Sequence, residues 1–98
     1  MQAIHLIVMI EVQPGKRDLQ IEAYKRLRPL VLAEEGCLQY ELFCDAQDDN
    51  KFVLLEKWAS QAALDTHDAA AHMRAADALN ATFRARSATV IKMDSVHA

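Results

Sequence analysis

The strongest constraint on the fold is a run of alternating apolar side chains near the start of this 98-residue chain. Successive side chains of a β-strand point to opposite faces, so residues of one parity share a face. One parity of residues 3–13 is wholly apolar: Ile4, Leu6, Val8, Ile10 and Val12. The other parity is mixed: His5, Ile7, Met9 and Glu11. The segment predicts a sheet with one dry face and one face that is partly polar or lines a cavity.

A helix is predicted next, over about residues 16–35, after the Pro14-Gly15 turn. Its apolar stripe comprises Leu19, Ala23, Leu27, Leu30 and Val31. Pro29 lies inside this stretch and lacks a backbone donor, which predicts a kink or a break. Gly36 stands where a left-handed residue would end the helix.

Two strands are predicted over residues 37–45 and 51–59, joined by a short polar turn as an antiparallel hairpin. In the first, one face carries Leu38, Tyr40, Leu42 and Cys44. In the second, one face carries Phe52, Leu54, Glu56 and Trp58. The odd spacing of Cys37 and Cys44 places these thiols on opposite faces, too far apart along a strand for an internal disulfide.

The last part of the chain predicts a helix from the N-cap Ser60 to about Arg84, interrupted between Asp68 and Ala71, and then a strand over residues 87–96. The buried stripe of this helix is expected to be Leu64, His67, Ala71, Ala75, Leu79 and Phe83. The order βαββαβ predicts an α+β fold, a ferredoxin-like plait, formed by a single domain over residues 1–98.

Composition excludes several classes of protein. The net charge is −3 without a basic stripe, so nucleic-acid binding is not expected. No apolar run is long enough to span a membrane and no signal peptide is evident, which predicts a cytoplasmic protein. Hydrophobic residues make up 52% of the chain, more than so small a core easily hides. Because the plait leaves one apolar sheet face uncovered, we expect a homodimer through the sheet faces.

Three short motifs resemble the antibiotic biosynthesis monooxygenase domain family, and its small quinol-monooxygenase-like members in particular. They are the turn Glu34-Glu35-Gly36-Cys37, the strand end Glu56-Lys57-Trp58, and the helical run from His67 to His72-Met73. The resemblance implies a dimeric α/β barrel with a pocket between sheet and helices in each subunit. It also implies oxidation of a quinol or polyketide-like aromatic by O2 without metal or flavin, although other relatives degrade haem or act on a small signalling metabolite.

The resemblance suggests His67 as the general base, with Trp58 and His72 as donors or walls of the pocket. Further pocket residues are expected to be Tyr40, Glu56, Met73, Phe83 and His5. Each of these also has a purely structural interpretation. Trp58 suits a core, His67 suits a buried histidine with satisfied hydrogen bonds, and Glu56 suits an ion pair with one of three arginines: Arg74, Arg84 or Arg86.

No metal and no cofactor are predicted. Five residues separate His67 from His72, which is ~140° around an ideal helix, and helical metal ligands prefer a spacing of three or four. The resemblance also argues against haem. The haem-degrading relatives carry a ligand histidine about one helical segment beyond the position of His67, and here Asp77, ten residues beyond His67, would be a poor ligand. Two other functions stay open: a non-catalytic dimeric module that binds a small ligand, and an isomerase or degradative enzyme for a small metabolite. An inward-facing Arg74 or Arg86 would favour the isomerase.

Overall fold

Four antiparallel strands form one sheet in the order β2-β3-β1-β4, as seen in a computed structural model that describes residues 2–97. The strands are β1 (Ile4–Glu11), β2 (Cys37–Cys44), β3 (Lys51–Trp58) and β4 (Thr89–Met93). The helices are α1 (Arg17–Leu32), α2 (Gln61–Ala69) and α3 (Ala71–Asn80). Within the described residues, no helix is long and apolar enough to cross a membrane. The predicted α+β fold, a ferredoxin-like plait with one antiparallel sheet, is confirmed.

The dry face predicted for β1 is confirmed. Leu6, Val8 and Ile10 are buried, and the matching face of β3 buries all four of its side chains: Phe52, Leu54, Glu56 and Trp58. The helices add Val31 and Leu64 to this core. On the opposite sheet face, apolar side chains remain half-buried or exposed: Ile7, Met9, Phe43, Val53, Leu55 and Ile91.

A β-bulge in β2 overturns part of the predicted hairpin. Cys37 pairs with Trp58 and Gln39 with Lys57, so Leu38 is an extra residue with no partner in β3. Because a bulge shifts the parity of the strand, Leu38 turns outward and is 56% exposed, while Tyr40 is buried. The shared face predicted for Leu38 and Tyr40 is therefore wrong. The same shift places Cys37 and Cys44 on one face; both are free thiols.

The first helix departs from prediction in two respects. It continues through Pro29 to Leu32 without a break. Its inner face carries Gln20 and Val31, whereas Leu19 and Leu30 are exposed. Gln20 takes the inner position because its Oε1 accepts a hydrogen bond from Arg84 Nε at 3.1 Å, which satisfies a buried amide.

The interruption predicted in the second helix is confirmed. Ala70 adopts an extended conformation (φ −65°, ψ 142°) and separates α2 from α3. The predicted N-cap is also confirmed, since Ser60 Oγ accepts from the Ala63 N–H at 3.1 Å. Beyond the break the predicted stripe holds at Phe83, which is buried, but three other members are exposed: Ala71, Ala75 and Leu79. α3 instead directs Met73, Ala76 and Asn80 inward.

Candidate functional site

A cavity of about 430 Å³ lies between the sheet and the helices, within the size range of small-molecule sites. Much of its wall is apolar, with side chains from β1, β3, α2 and α3: Leu6, Val8, Leu54, Leu64 and Met73. Charged and polar side chains at its edge include Gln61, Asp68, Asp77 and Lys92, and two further groups of polar side chains line it. One group is Tyr40, Glu56 and His67, and the other is Gln20, Asn80 and Arg84. Such a cavity suits a largely apolar ligand that carries a few polar atoms.

His67 is the most buried titratable side chain of the first group, and it is held by Glu34. The imidazole Nδ1 lies 2.9 Å from Glu34 Oε2 and 3.2 Å from Oε1. An ionised carboxylate only accepts hydrogen bonds, so in neutral His67 the proton sits on Nδ1 and Nε2 keeps its lone pair. Nε2 lies 3.9 Å from Glu56 Oε1, beyond hydrogen-bond distance. The ring therefore presents a free acceptor on its Glu56 side.

Glu34 reaches His67 because the turn after α1 packs closely against α2. Gly36 has a left-handed conformation (φ +84°), as predicted, and its carbonyl accepts from the Ala59 N–H at 2.8 Å. A Cβ at Gly36 would lie only 2.6 Å from the Cβ of Ala63. Ala63 and His67 are four residues apart, hence on the same face of α2. The absence of a side chain at Gly36 lets the turn that bears Glu34 approach the helix that bears His67.

Glu56 and Trp58 form the floor beneath His67. They are two residues apart on β3, so they share a face, and Trp58 Nε1 donates to Glu56 Oε1 at 2.9 Å. The Trp58 ring lies 4.4 Å from the His67 ring, centroid to centroid, and is fully buried. Burial raises the pKa of the Glu56 carboxyl, against the opposing effects of the Trp58 hydrogen bond and of His67.

The arginine partner predicted for Glu56 is not found among residues 2–97. Arg84 donates to Gln20, Arg86 lies 3.4 Å from Glu11, and Arg74 donates to the backbone carbonyl of Ala69. The indole of Trp58 takes the place of a cation, because it supplies a donor from the same strand face at no cost of burying a second charge. The arginine that does line the cavity is Arg84, whose pKa is lowered by burial.

Tyr40 stands beside Glu56 in the β2–β3 pairing and contributes a phenol to the cavity. Burial, and then the nearby Glu56, raise the pKa of this phenol, so it stays protonated at neutral pH. Its ring packs edge-on to His67 at 5.9 Å and stacks with Tyr24 at 6.0 Å. Within residues 2–97 no side chain or backbone group hydrogen-bonds its hydroxyl, which leaves this donor available to a ligand.

His72 lies in the first turn of α3, outside the lining of the cavity. Its Nε2 is 2.7 Å from Glu34 Oε2, the same oxygen that contacts His67. The break at Ala70 makes this possible, because it redirects the chain between two histidines that a continuous helix would hold ~140° apart. Glu34 joins both histidines and was not among the predicted site residues. Glu34 belongs to the Glu-Glu-Gly-Cys motif, but it lies in a turn. Hydrophobic periodicity predicts the faces of helices and strands and does not predict which residue a turn side chain contacts.

The predicted site residues thus divide into three sets. Those that line the cavity are Tyr40, Glu56, His67 and Met73. The second set lies outside the lining: Trp58 contacts His67 and Glu56 from behind, and His72 contacts Glu34, which in turn holds His67. The remaining two do not reach it: Phe83 is buried in the core, and His5 lies on the opposite face of the sheet. The chemical roles of all eight predicted site residues remain predictions.

Comparison with known proteins gives consistent matches. A family model described as antibiotic biosynthesis monooxygenase matches residues 3–79. The chain is 39% identical to the "Putative monooxygenase YcnE" of Bacillus subtilis over 72% of this chain and 75% of that protein. It is 31% identical to the "Probable quinol monooxygenase YgiN" of Escherichia coli over 71% of this chain and 77% of that protein. A crystal structure described as an antibiotic biosynthesis monooxygenase superimposes with a TM-score of 0.88 at 32% identity, covering 95% and 98% of the two chains.

Proposed function

Since the chain belongs to the antibiotic biosynthesis monooxygenase family, we propose that it is a cofactor-independent monooxygenase that oxidises a quinol or a polyketide-like aromatic with O2. The observation that carries this proposal is the arrangement of His67. Glu34 holds its Nδ1, and the ring lines an apolar cavity with its Nε2 as a free acceptor. A positioned base in a largely apolar cavity suits the deprotonation of a phenolic hydroxyl.

The proposed reaction begins when His67 Nε2 accepts a proton from a quinol hydroxyl. The resulting anion is electron-rich and reduces O2 by one electron, after which the two radicals combine to form a carbon–oxygen bond. Loss of water then gives a hydroxyquinone, so that quinol plus O2 yields hydroxyquinone plus water, with all electrons drawn from the substrate. The Tyr40 hydroxyl is placed to donate a hydrogen bond to the anionic oxygen in this cavity.

Two features of the cavity favour an aromatic diol over a phosphorylated metabolite. Arg74 and Arg86, which would favour the isomerase, are exposed and do not line the cavity. The acidic side chains of Glu56, Asp68 and Asp77 line it beside only two cations, Arg84 and Lys92, so the lining carries no excess of positive charge to hold a phosphate group. The non-catalytic binding module shares the same cavity, and only turnover distinguishes it from an enzyme.

The decisive experiment follows O2 consumption by the metal-stripped protein with menadiol, a bicyclic quinol, under 18O2. We expect consumption above the rate of spontaneous oxidation and one labelled oxygen atom in the product, because a monooxygenase leaves the other atom in water. Hydrogen peroxide with an unlabelled quinone would show a simple oxidase instead. Thermal stabilisation by menadiol without turnover would support the binding module and overturn the proposed enzyme.

We also propose that two copies pair through the uncovered sheet face to form a dimeric barrel. Its centre is apolar and continuous across three strands, because Ile7 pairs with both Leu55 and Ile91 in the sheet. Met9 and Phe43 extend the patch and are exposed. Exposing such an apolar patch to water is unfavourable, and burying it against the same patch of a second copy removes that cost.

A charge at the centre of this face is expected to abolish the dimer. Leu55→Glu places a carboxylate from each copy within the proposed interface, where the cost of burying a charge opposes association. Light scattering coupled to size-exclusion chromatography should show a dimer for the parent chain and a monomer for the variant. Leu30→Glu is the matched control, since Leu30 is exposed on α1, and it should remain dimeric. An unchanged mass for Leu55→Glu would exclude this face as the interface.

A further inference from the structure

We propose that Glu34, His67 and His72 bind a divalent first-row transition-metal cation such as Zn²⁺ beside the cavity, behind His67. Each residue offers one ligand atom, and the three atoms lie within 4.8 Å of one another. They come from three separate elements, the turn after α1, the end of α2 and the start of α3. The site is thus defined by tertiary packing, and the spacing rule that argued against a two-histidine site on one helix does not apply to it.

The distances fit a cation with little rearrangement. Zinc binds imidazole nitrogen and carboxylate oxygen at about 2.0–2.2 Å, which separates neighbouring ligand atoms by roughly 3.3 Å in tetrahedral geometry. The two nitrogens now lie 2.9 Å and 2.7 Å from Glu34 Oε2. Each contact would have to open by only about half an ångström to admit the ion. The hydrogen bonds of the metal-free cluster therefore hold the ligands near their positions in a metal site.

The chemistry and the access of the cluster point to the same class of ion. Two imidazoles and one carboxylate are ligands that zinc and its neighbours in the first row accept, whereas calcium and magnesium prefer oxygen alone. The side chains of Glu34 and His72 are 12% and 26% exposed, so an ion and a bound water can reach them from solvent. His67, 3% exposed, closes the inner side.

Occupancy of this site has a consequence that rests on the proposed function. A cation on Nδ1 of His67 displaces the proton from that nitrogen, and a neutral imidazole then carries its proton on Nε2. The nitrogen that accepts the quinol proton becomes a donor, so the metal-bound form cannot act as the base. We therefore expect Zn²⁺ to inhibit quinol oxidation, while the metal-stripped protein is the active form.

The binding test does not depend on activity. Metal-stripped protein is titrated with Zn²⁺ by calorimetry and with Co²⁺ by visible absorption, in which a low-coordinate nitrogen and oxygen site gives intense bands. We expect the parent chain to bind one ion. The affinity for the ion should fall by roughly tenfold or more in Glu34→Gln and in His72→Asn, since each variant loses one of the three ligands. Glu35→Gln is the matched control, because Glu35 is exposed beside the site and loses the same charge. Its affinity should stay within about twofold.

Three outcomes separate the possibilities. Loss of Co²⁺ bands in Glu34→Gln and His72→Asn, but not in Glu35→Gln, supports the site. Absent bands in the parent chain, or equal weak binding in all variants, overturn it and leave a hydrogen-bonded cluster only. Circular dichroism checks that each variant is folded, and His72→Asn is the safer variant because its side chain is partly exposed. Quinol oxidation by the metal-stripped parent is measured separately, so that failure of the metal site leaves the proposed function testable.

Discussion

The substitution His67→Ala is expected to lower kcat/KM for quinol oxidation by roughly 10²–10⁴-fold, the usual contribution of a general base. The reason is that Nε2 of His67 is a free acceptor at the cavity, fixed in orientation by Glu34. Tyr40 cannot replace it, because burial raises the pKa of the Tyr40 phenol and keeps it a donor. One oxygen of Glu56, Oε1, already accepts a hydrogen bond from the Trp58 indole. Initial rates of O2 uptake with menadiol, corrected for spontaneous oxidation, measure the effect.

Two further variants separate the chemistry of His67 from the structure around it. Glu34→Gln keeps a side chain that can contact the imidazole but removes the charge that orients it, so we expect a smaller loss of roughly 10–100-fold. His97→Ala removes an exposed histidine far along the chain and should leave the rate unchanged. Equal rates for His67→Ala and the parent chain would exclude His67 as the base. If the fall in kcat/KM of His67→Ala is fully explained by a smaller folded fraction, His67 has a structural role only.

The parts of the fold that could be predicted depend on short-range patterns. The parity of β1 and β3 assigned their buried faces correctly, because alternation is imposed by the backbone of each strand alone. The break at Ala70 lies within the interruption predicted between Asp68 and Ala71. The placement of Glu56 and Trp58 on one face followed from their spacing of two, and their hydrogen bond is a direct consequence.

The errors arose where a distant contact decided the outcome. The bulge at Leu38 shifts β2 by one residue, and no local pattern of β2 records it. Leu19 fits an apolar stripe on α1 as well as the buried residues do, but the bond from Arg84 to Gln20 turns a polar side chain inward. The role of Glu34 was missed for the same reason, since it contacts residues 33 and 38 positions away in the chain.

The same dependence on a distant contact makes Gly36 the most sensitive backbone position of the site. Gly36→Ala is expected to lower the free energy of unfolding by about 2–5 kcal/mol. A left-handed conformation costs an ordinary residue about 1–2 kcal/mol, and overpacking costs about 1–3 kcal/mol. Both apply here, since φ is +84° and the new Cβ would lie 2.6 Å from that of Ala63. Ala63 cannot move aside as the end of a flexible side chain would. Urea denaturation followed by circular dichroism measures the loss.

Gly15→Ala is the matched control for this effect. Gly15 has a similar φ of +80°, but an added Cβ would meet nothing within 4 Å. Gly15→Ala should therefore lose only the cost of the left-handed conformation, about 1–2 kcal/mol. A loss for Gly36→Ala no larger than for Gly15→Ala would show that the turn does not press against α2. If the difference is found, the folded fraction of Gly36→Ala should also oxidise quinol more slowly, because moving the turn away from Ala63 withdraws Glu34 from His67.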